Sequence, residues 1–462
     1  MRRLWTLLGL AVLALALAAC GGEKAEDKGG ATGEPEPTAA ASTVSIDFWH
    51  SEAAANEAAL QALVDRFNSS QDEVDVRLLY QGTNEDINLK LLSSLRSGDV
   101  PALVELDQND FQVMVDSDAV TPIQDFIDAE GYDMSDFDER AIKYYTADDK
   151  LYSMPMPVAV PMLFYNKIPF REVGLDPEKP PLTLDEVRTY SEKLFKVDGS
   201  GNVVRSGISL EILPWFLEQT MAEHGDLYVN NDNGRDGRAT EAVFNNPTGQ
   251  AFFRWWDEMI DSGLGFNVGR NPAGPDALLA VASGRAAMTV GSSAALRSAL
   301  NVLEAGMEGV ELGVGPFPAV AGGTGKPGIA GPCLWIMNQR PEAEQQAAWK
   351  VIRWLSEPEQ QAEFFAASGY MPVRLSAYDL EPSRQLLEKY PMFQVLVDLF
   401  VGVPATPTST GPLIGPFSQV RRIVAESLEE VVVGGKDPVQ ALDDAAERTT
   451  KELQDYNKRV GE

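Results

Sequence analysis

Thr43-Val44-Ser45-Ile46-Asp47-Phe48-Trp49-His50 opens the folded part of this chain and decides its architecture. Val44, Ile46 and Phe48 alternate with other residues, the period-two pattern of a strand with one buried face. Leu60, Leu63, Val64 and Phe67 follow at the 3, 4, 7 spacing of a helix face. Val74, Val76 and Leu78 alternate again, residues 84–97 read as a helix, and Ala102 to Leu106 is a short apolar run behind the breaker Gly98-Asp99-Val100-Pro101. Strands alternating with helices predict βαβ units in a parallel sheet, whose ligand sites lie at the carboxyl ends of the strands. Those ends carry Trp49 and His50, then Tyr80 and Gln81, then Asp107 and Gln108.

Further along, Thr183-Leu184-Asp185-Glu186 has the form of a capping box and opens a helix to about residue 197. Phe252, Trp255, Trp256 and Met259 recur at helical spacing after Asn246-Pro247, so the two tryptophans are read as core. Met288 to Val290, Leu312 to Val314 and Ile329 to Met337 read as strands; residues 342–356 and about 438–458 read as helices. Trp335 fits core and cleft equally, and Cys333 reads as a small packing residue. Asp232, Asp236 and nearby asparagines resemble part of a calcium loop, but Val243 stands where a bidentate Glu is required, so a metal-free turn is expected. At 462 residues the chain exceeds what one core usually holds, and two large lobes are expected.

Toward the other end, Arg2 and Arg3 precede an apolar run from Leu4 to Leu17, closed by Ala18, Ala19 and Cys20. This is the pattern of a secretory signal, too short for a comfortable transmembrane span. Leu17-Ala18-Ala19-Cys20 resembles the bacterial lipobox, so residues 1–19 are expected to be cleaved and Cys20 acylated. Residues 21–42 hold almost no large apolar side chain and read as a tether, which as a 22-residue coil spans roughly 25 Å.

Composition excludes several functions. Lys plus Arg is 38 and Asp plus Glu is 69, so the net charge of −31 repels nucleic acid. With two histidines, His50 and His224, and two cysteines, Cys20 and Cys333, a zinc site has little material. No metal or cofactor is expected. A glycoside hydrolase using two carboxylates remains a remote alternative, because acidic residues are abundant but nothing in the pattern isolates a pair.

Ile46-Asp47-Phe48-Trp49-His50-Ser51 resembles the first strand of the family 1 extracellular solute-binding proteins of ATP-binding-cassette (ABC) importers, and most of all their glycerol-3-phosphate-binding members. Arg96 to Ala102, Leu163-Phe164-Tyr165-Asn166-Lys167, Gly174-Leu175-Asp176-Pro177, Ser283 to Met288, Gly331-Pro332-Cys333-Leu334-Trp335 and Gly369-Tyr370-Met371-Pro372 continue the likeness in order, although Leu184 replaces a usual Trp. The resemblance implies the α/β, two-lobed periplasmic-binding-protein-like fold of class II type, with several hinge crossings. The order of motifs gives lobe one residues 43–157 plus 292–338, and lobe two residues 158–291 plus 339–462. Pro155-Met156-Pro157 and Gly291-Ser292 are the candidate hinges. The implied function is a lipid-anchored monomer that delivers a solute to the importer's permease subunits without turning it over.

By the same resemblance the ligand-binding residues are Trp49, His50, Asn84, Gln108, Trp215, Ser292, Gly331 and Tyr370. Asn84 and Gln108 replace a tyrosine and a glutamate of the family pattern, and its phosphate-gripping arginine falls on Leu413. A buried phosphate without a guanidinium is costly, so a neutral carbohydrate is favoured over glycerol-3-phosphate or a glycerophosphodiester. Arg374, Arg421 or Arg422 could restore the charge from a shifted position.

Overall fold

A computed structural model of the chain describes residues 43–270, 275–306, 308–323 and 326–461. The expected signal peptide, Cys20 and the tether lie outside the described residues.

The opening stretch forms the strand Val44–His50 as expected. It pairs in parallel with Val74–Tyr80 on one side and with Leu103–Asp107 on the other. Between them the helix Asn84–Ser97 is fixed at both ends. Thr83 and Asp86 exchange capping-box hydrogen bonds at its start, and Gly98 closes it at φ 76°, a left-handed conformation that glycine adopts without strain. The sheet is mixed rather than purely parallel, because Pro332–Met337 returns antiparallel beside Leu103–Asp107 and itself pairs with Val120–Thr121 and Met154–Pro155. Trp335 on this returning strand is fully buried and belongs to the core.

A second mixed sheet runs in the order Gly265–Gly269, Val203–Glu211, Ala286–Ser292, Pro161–Asn166, Leu312–Pro316. The helix expected after Thr183 spans Leu184–Leu194, and its capping box is only half made: Thr183 accepts from the Glu186 N–H, but the Glu186 carboxylate takes the N–H of Leu182. Trp255 and Trp256 are core, as read. Asn231, Asp232 and Asn233 all have positive φ in a turn, where the Asn233 side-chain Oδ1 accepts the N–H groups of Tyr228 and Val229.

Each sheet has its own hydrophobic core. Their membership corrects the expected division of the chain. The helices Glu342–Leu355 and Pro358–Ser368, assigned by motif order to lobe two, bury Trp349, Ile352 and Phe365 in the core that holds Phe48 and Leu103. Phe393 and Phe400 join the same core, and the second core resumes only near Ile414. Leu312–Pro316, expected in lobe one, is an edge of the second sheet by its pairing, while its Leu312 and Val314 side chains enter the first core. Full burial of such a side chain stabilises by about 1.5 to 3 kcal/mol, so the core it enters defines its lobe more firmly than its place in the chain.

Candidate functional site

The carboxyl ends of the central strands of the first sheet gather an acidic cluster. His50 ends its strand, and Ser51 and Glu52 follow. The Ser51 hydroxyl lies 2.6 Å from Asn84 Oδ1 and 3.2 Å from Glu105 Oε1, and Asn84 Nδ2 donates to Asp107 Oδ2 at 3.1 Å. Glu52 is buried and hydrogen-bonded to Asn56 and to the Tyr370 hydroxyl. Burial lifts its pKa to about 7. Burial, and then the charge of Glu52, hold the Glu105 carboxyl well above its usual range. Glu105 is 1% exposed, and its Oε2 has no hydrogen-bond partner among the described residues.

The second lobe meets this cluster through the helix Phe417–Val432. Arg421 is held by Glu218 of the helix Trp215–His224 through two parallel hydrogen bonds of 2.8 Å, and it reaches Asp107 at 3.5 Å. Its positive charge is therefore already matched by buried carboxylates. Ser418 accepts from Asn109 at 2.6 Å and lies 3.4 Å from Asp110 Oδ1. Leu413, where the resemblance places a phosphate-gripping arginine, packs against the first core.

Five of the eight expected residues join this network or the crossing beside it. Asn84 and Tyr370 touch Asp107 and Glu52 directly. Gln108 Oε1 accepts the N–H of Gly331 at 2.8 Å, and the Gly331 carbonyl accepts from the Tyr145 hydroxyl at 2.7 Å, so both polar backbone groups of this glycine are satisfied within the protein. His50 is 2% exposed with Nδ1 unpartnered among the described residues, and burial lowers its pKa to about 4, which keeps the ring neutral. The other three stand differently. Trp49 is 9% exposed, with the Lys90 ammonium 4.6 Å from its ring centroid, so a sugar face would compete with Lys90 for that ring. Trp215 starts its helix inside the second core, its indole N–H unpartnered among the described residues. Ser292 ends the strand Ala286–Ser292 and accepts from the N–H of Ala294.

Around Gly331 the chain crosses between the lobes. Val158 exchanges backbone hydrogen bonds with Met371 at 2.8 and 2.6 Å, the Ala159 N–H donates to Ala330, and the Ser293 N–H donates to Val160. A Cβ at Gly331 would stand 2.9 Å from Val158 Cα, so glycine is required here by the close passage of two backbones. Glu52, Glu105 and Glu218 were missed by the sequence reading. Only Glu52 carried a usable signal, its place two residues past a strand end.

A family model described as bacterial extracellular solute-binding protein matches residues 62–393. The sn-glycerol-3-phosphate-binding periplasmic protein UgpB of Pectobacterium atrosepticum is 30% identical over 409 residues, 87% of this chain and 90% of that one. UgpB of a strain of Escherichia coli is 30% identical over 426 residues, 91% of this chain and 94% of its own. Among solved structures, UgpB of Mycobacterium tuberculosis in complex with glycerophosphocholine superposes with a TM-score of 0.73 at 21% identity, covering 89% of this chain and 99% of that one. The cyclic α-maltosyl-1,6-maltose binding protein of Arthrobacter globiformis gives 0.71 at 22%, covering 89% and 100%. These two likenesses speak to the fold.

Proposed function

The chain belongs to the bacterial extracellular solute-binding protein family, and from that premise we propose that it captures an uncharged, hydroxyl-rich solute, a sugar or oligosaccharide, between its two lobes. The observation that carries this reading is the charge pattern of the cleft. Glu52, Glu105 and Asp107 converge from the first lobe, and the one guanidinium facing them among the described residues is held by Glu218. Carboxyls, amides and a phenol are good partners for sugar hydroxyls, whereas a phosphate dianion there would meet a cluster of carboxyls whose facing guanidinium is already engaged by Glu218. A glycerophosphodiester is the second reading, favoured by the identity to relatives named for glycerol-3-phosphate. Trp49, His50, Asn84, Gln108, Trp215, Ser292, Gly331 and Tyr370 are kept as proposed ligand contacts, with Lys90 moving off Trp49 when a sugar ring stacks there. No turnover is expected, and the paths 155–157 and 291–292 serve as hinges.

Calorimetry of mono- and oligosaccharides against glycerol-3-phosphate and glycerophosphocholine, at low and high salt, tests this reading. Sugar binding that is insensitive to salt is expected, because screening acts on charges. Binding of glycerol-3-phosphate alone, weakening with salt, overturns it.

Delivery to membrane permease subunits follows from the family, and Cys20 supplies the proposed lipid anchor. Cys20→Ser should leave the protein in the soluble fraction after a salt wash; tight retention on the membrane contradicts the anchor.

A further inference from the structure

Counted by hydrogen atoms, the acidic cluster at the strand ends is short of donors. Ser51 has one hydroxyl proton and two oxygens within reach, Asn84 Oδ1 at 2.6 Å and Glu105 Oε1 at 3.2 Å. The Asn84 amide has a fixed orientation, because its Nδ2 donates to Asp107 Oδ2 at 3.1 Å and so turns Oδ1 toward Ser51. Asp107 is the acceptor end of this row, with the Asn109 N–H 3.2 Å from its Oδ1 and Arg421 at 3.5 Å. The shorter contact takes the Ser51 proton, which leaves none for Glu105.

Glu105 then has little to hold a negative charge. It is 1% exposed, its Oε2 has no partner among the described residues, and the donor left to it is the Ser51 backbone N–H. Leu334 pairs opposite it on the returning strand. The charges that act on it, Glu52 from behind the first strand and Asp107 on its own, are both negative. Tyr370 from the crossing is a neutral phenol, and His50 is a neutral ring. Arg421 from the second lobe is held by Glu218 and turned toward Asp107. A buried carboxylate needs a cation or several donors, whereas a carboxylic acid needs neither and can itself donate to Ser51 Oγ.

We propose that Glu105 is held as a neutral acid, and that its proton sets a one-way hydrogen-bond chain, from Glu105 to Ser51 to Asn84 to Asp107, which positions the Asn84 amide for the solute. The inference rests on Asn84 being a ligand contact of the neutral-solute reading above, and adds the regulation of that contact. When rising pH removes the proton, the Ser51 hydroxyl turns to the Glu105 anion and Asn84 Oδ1 loses its donor. Capture of solute therefore weakens as pH rises. Glu52 also titrates in this cluster, but it bonds Asn56 and Tyr370 and lies off the chain.

The test uses the full chain with Glu105→Gln, whose amide can donate to Ser51 as the acid does and carries no titrating proton. Two arms need no solute. Infrared difference spectra of wild type against Glu105→Gln at neutral pH should show a carboxylic-acid C=O band in wild type only, with the same comparison in a Glu52→Gln background separating the two acids; absence of the band overturns the neutral acid. With isotope-labelled asparagine, the Asn84 side-chain amide signal, assigned by its loss in Asn84→Ala, should move with pH in wild type and stay in place in Glu105→Gln. A signal that behaves alike in both overturns the chain. Maltose, maltotriose, glycerol-3-phosphate and glycerophosphocholine are then titrated at mildly acidic and at alkaline pH. Affinity for whichever probe binds should fall about tenfold toward alkaline pH in wild type and hold steady in Glu105→Gln. Affinity that changes alike in both proteins, or in neither, overturns the regulation. Binding of glycerol-3-phosphate alone overturns the neutral-solute reading, while the proton on Glu105 still stands or falls by the two spectroscopic arms.

Discussion

Asp110 lies where the lobes meet, 3% exposed, its carboxyl bonded by Asn88 and 3.4 Å from Ser418. Burial, then the charge of Asp107, push its pKa up to about 8. The folded protein therefore binds a proton that the unfolded chain, with an ordinary carboxyl near 4, releases. Stability from this group is present at acid pH and is lost as pH rises through that window. Glu52, raised to about 7, acts in the same direction, whereas His50, lowered to about 4, opposes both below its ordinary value of 6.5. Between pH 6.5 and 8 only the acids act, and Tm should fall. In Asp110→Asn that fall should be visibly shallower in calorimetric scans; identical slopes would mean that the carboxyl is already ionised at pH 6.5. Arg421 gives a second outcome at this scale. The sequence offers it as a spare phosphate ligand, yet its partner Glu218 has a side chain only 4% exposed. Arg421→Ala strands a buried carboxylate and should destabilise by about 3 to 5 kcal/mol in denaturant titration. A variant of wild-type stability would return Arg421 to the list of free cations. Neither role was legible in the sequence, because nothing local separates these acids from the other carboxylates among 69.

Elements were far more legible than their allegiance. The first strand and helix, the capped helix Asn84–Ser97 and the long last helix Pro438–Val460 were readable because period and caps are local signals. Allegiance is not local. The helix Glu342–Leu355 presents Ala348, Val351, Ile352 and Leu355 to a core, and that apolar face reads the same whichever lobe receives it. Only the crossing of the chain near residues 156–160, 291–293, 330–332 and 369–371 decides the matter, and sequence spacing does not report on backbone proximity. Gly331 shows how this affects the reading of a site. The resemblance suggested a glycine that admits a ligand, and a close approach to Val158 asks for glycine at the same position. Gly331→Ala should lower the melting temperature without ligand, because backbone must shift to accept the Cβ, at a cost of about 1 to 3 kcal/mol. An unchanged melting temperature with weakened ligand binding would instead restore the ligand-approach reading.

At the scale of the molecule, the proposed closure depends on direct contacts between the lobes. Asp116 ends the helix Phe111–Asp116, whose Phe111 and Met114 belong to the first core, and its side chain is 7% exposed. It accepts two hydrogen bonds from Arg238, at 2.9 and 2.7 Å, and one from the Tyr456 hydroxyl at 2.7 Å. Arg238 adjoins Ala239 and Tyr456 lies on the last helix near Leu453, both members of the second core. Burial raises the Asp116 pKa, but hydrogen bonds from Arg238, Tyr456 and Gln112 more than offset this and leave it lowered, so the latch is ionised at neutral pH. A contact made only in the closed form shifts the open–closed balance, and apparent affinity scales with the fraction competent to close around the ligand. Asp116→Ala should therefore give a larger radius of gyration without ligand, by small-angle X-ray scattering, and should recover the wild-type value at saturating solute. Its Kd should rise about tenfold, the effect of losing roughly 1.4 kcal/mol of closing free energy. Because Asp116 touches no proposed ligand contact, weaker binding with an unchanged unliganded radius would show that the pair braces the fold and does not bias closure.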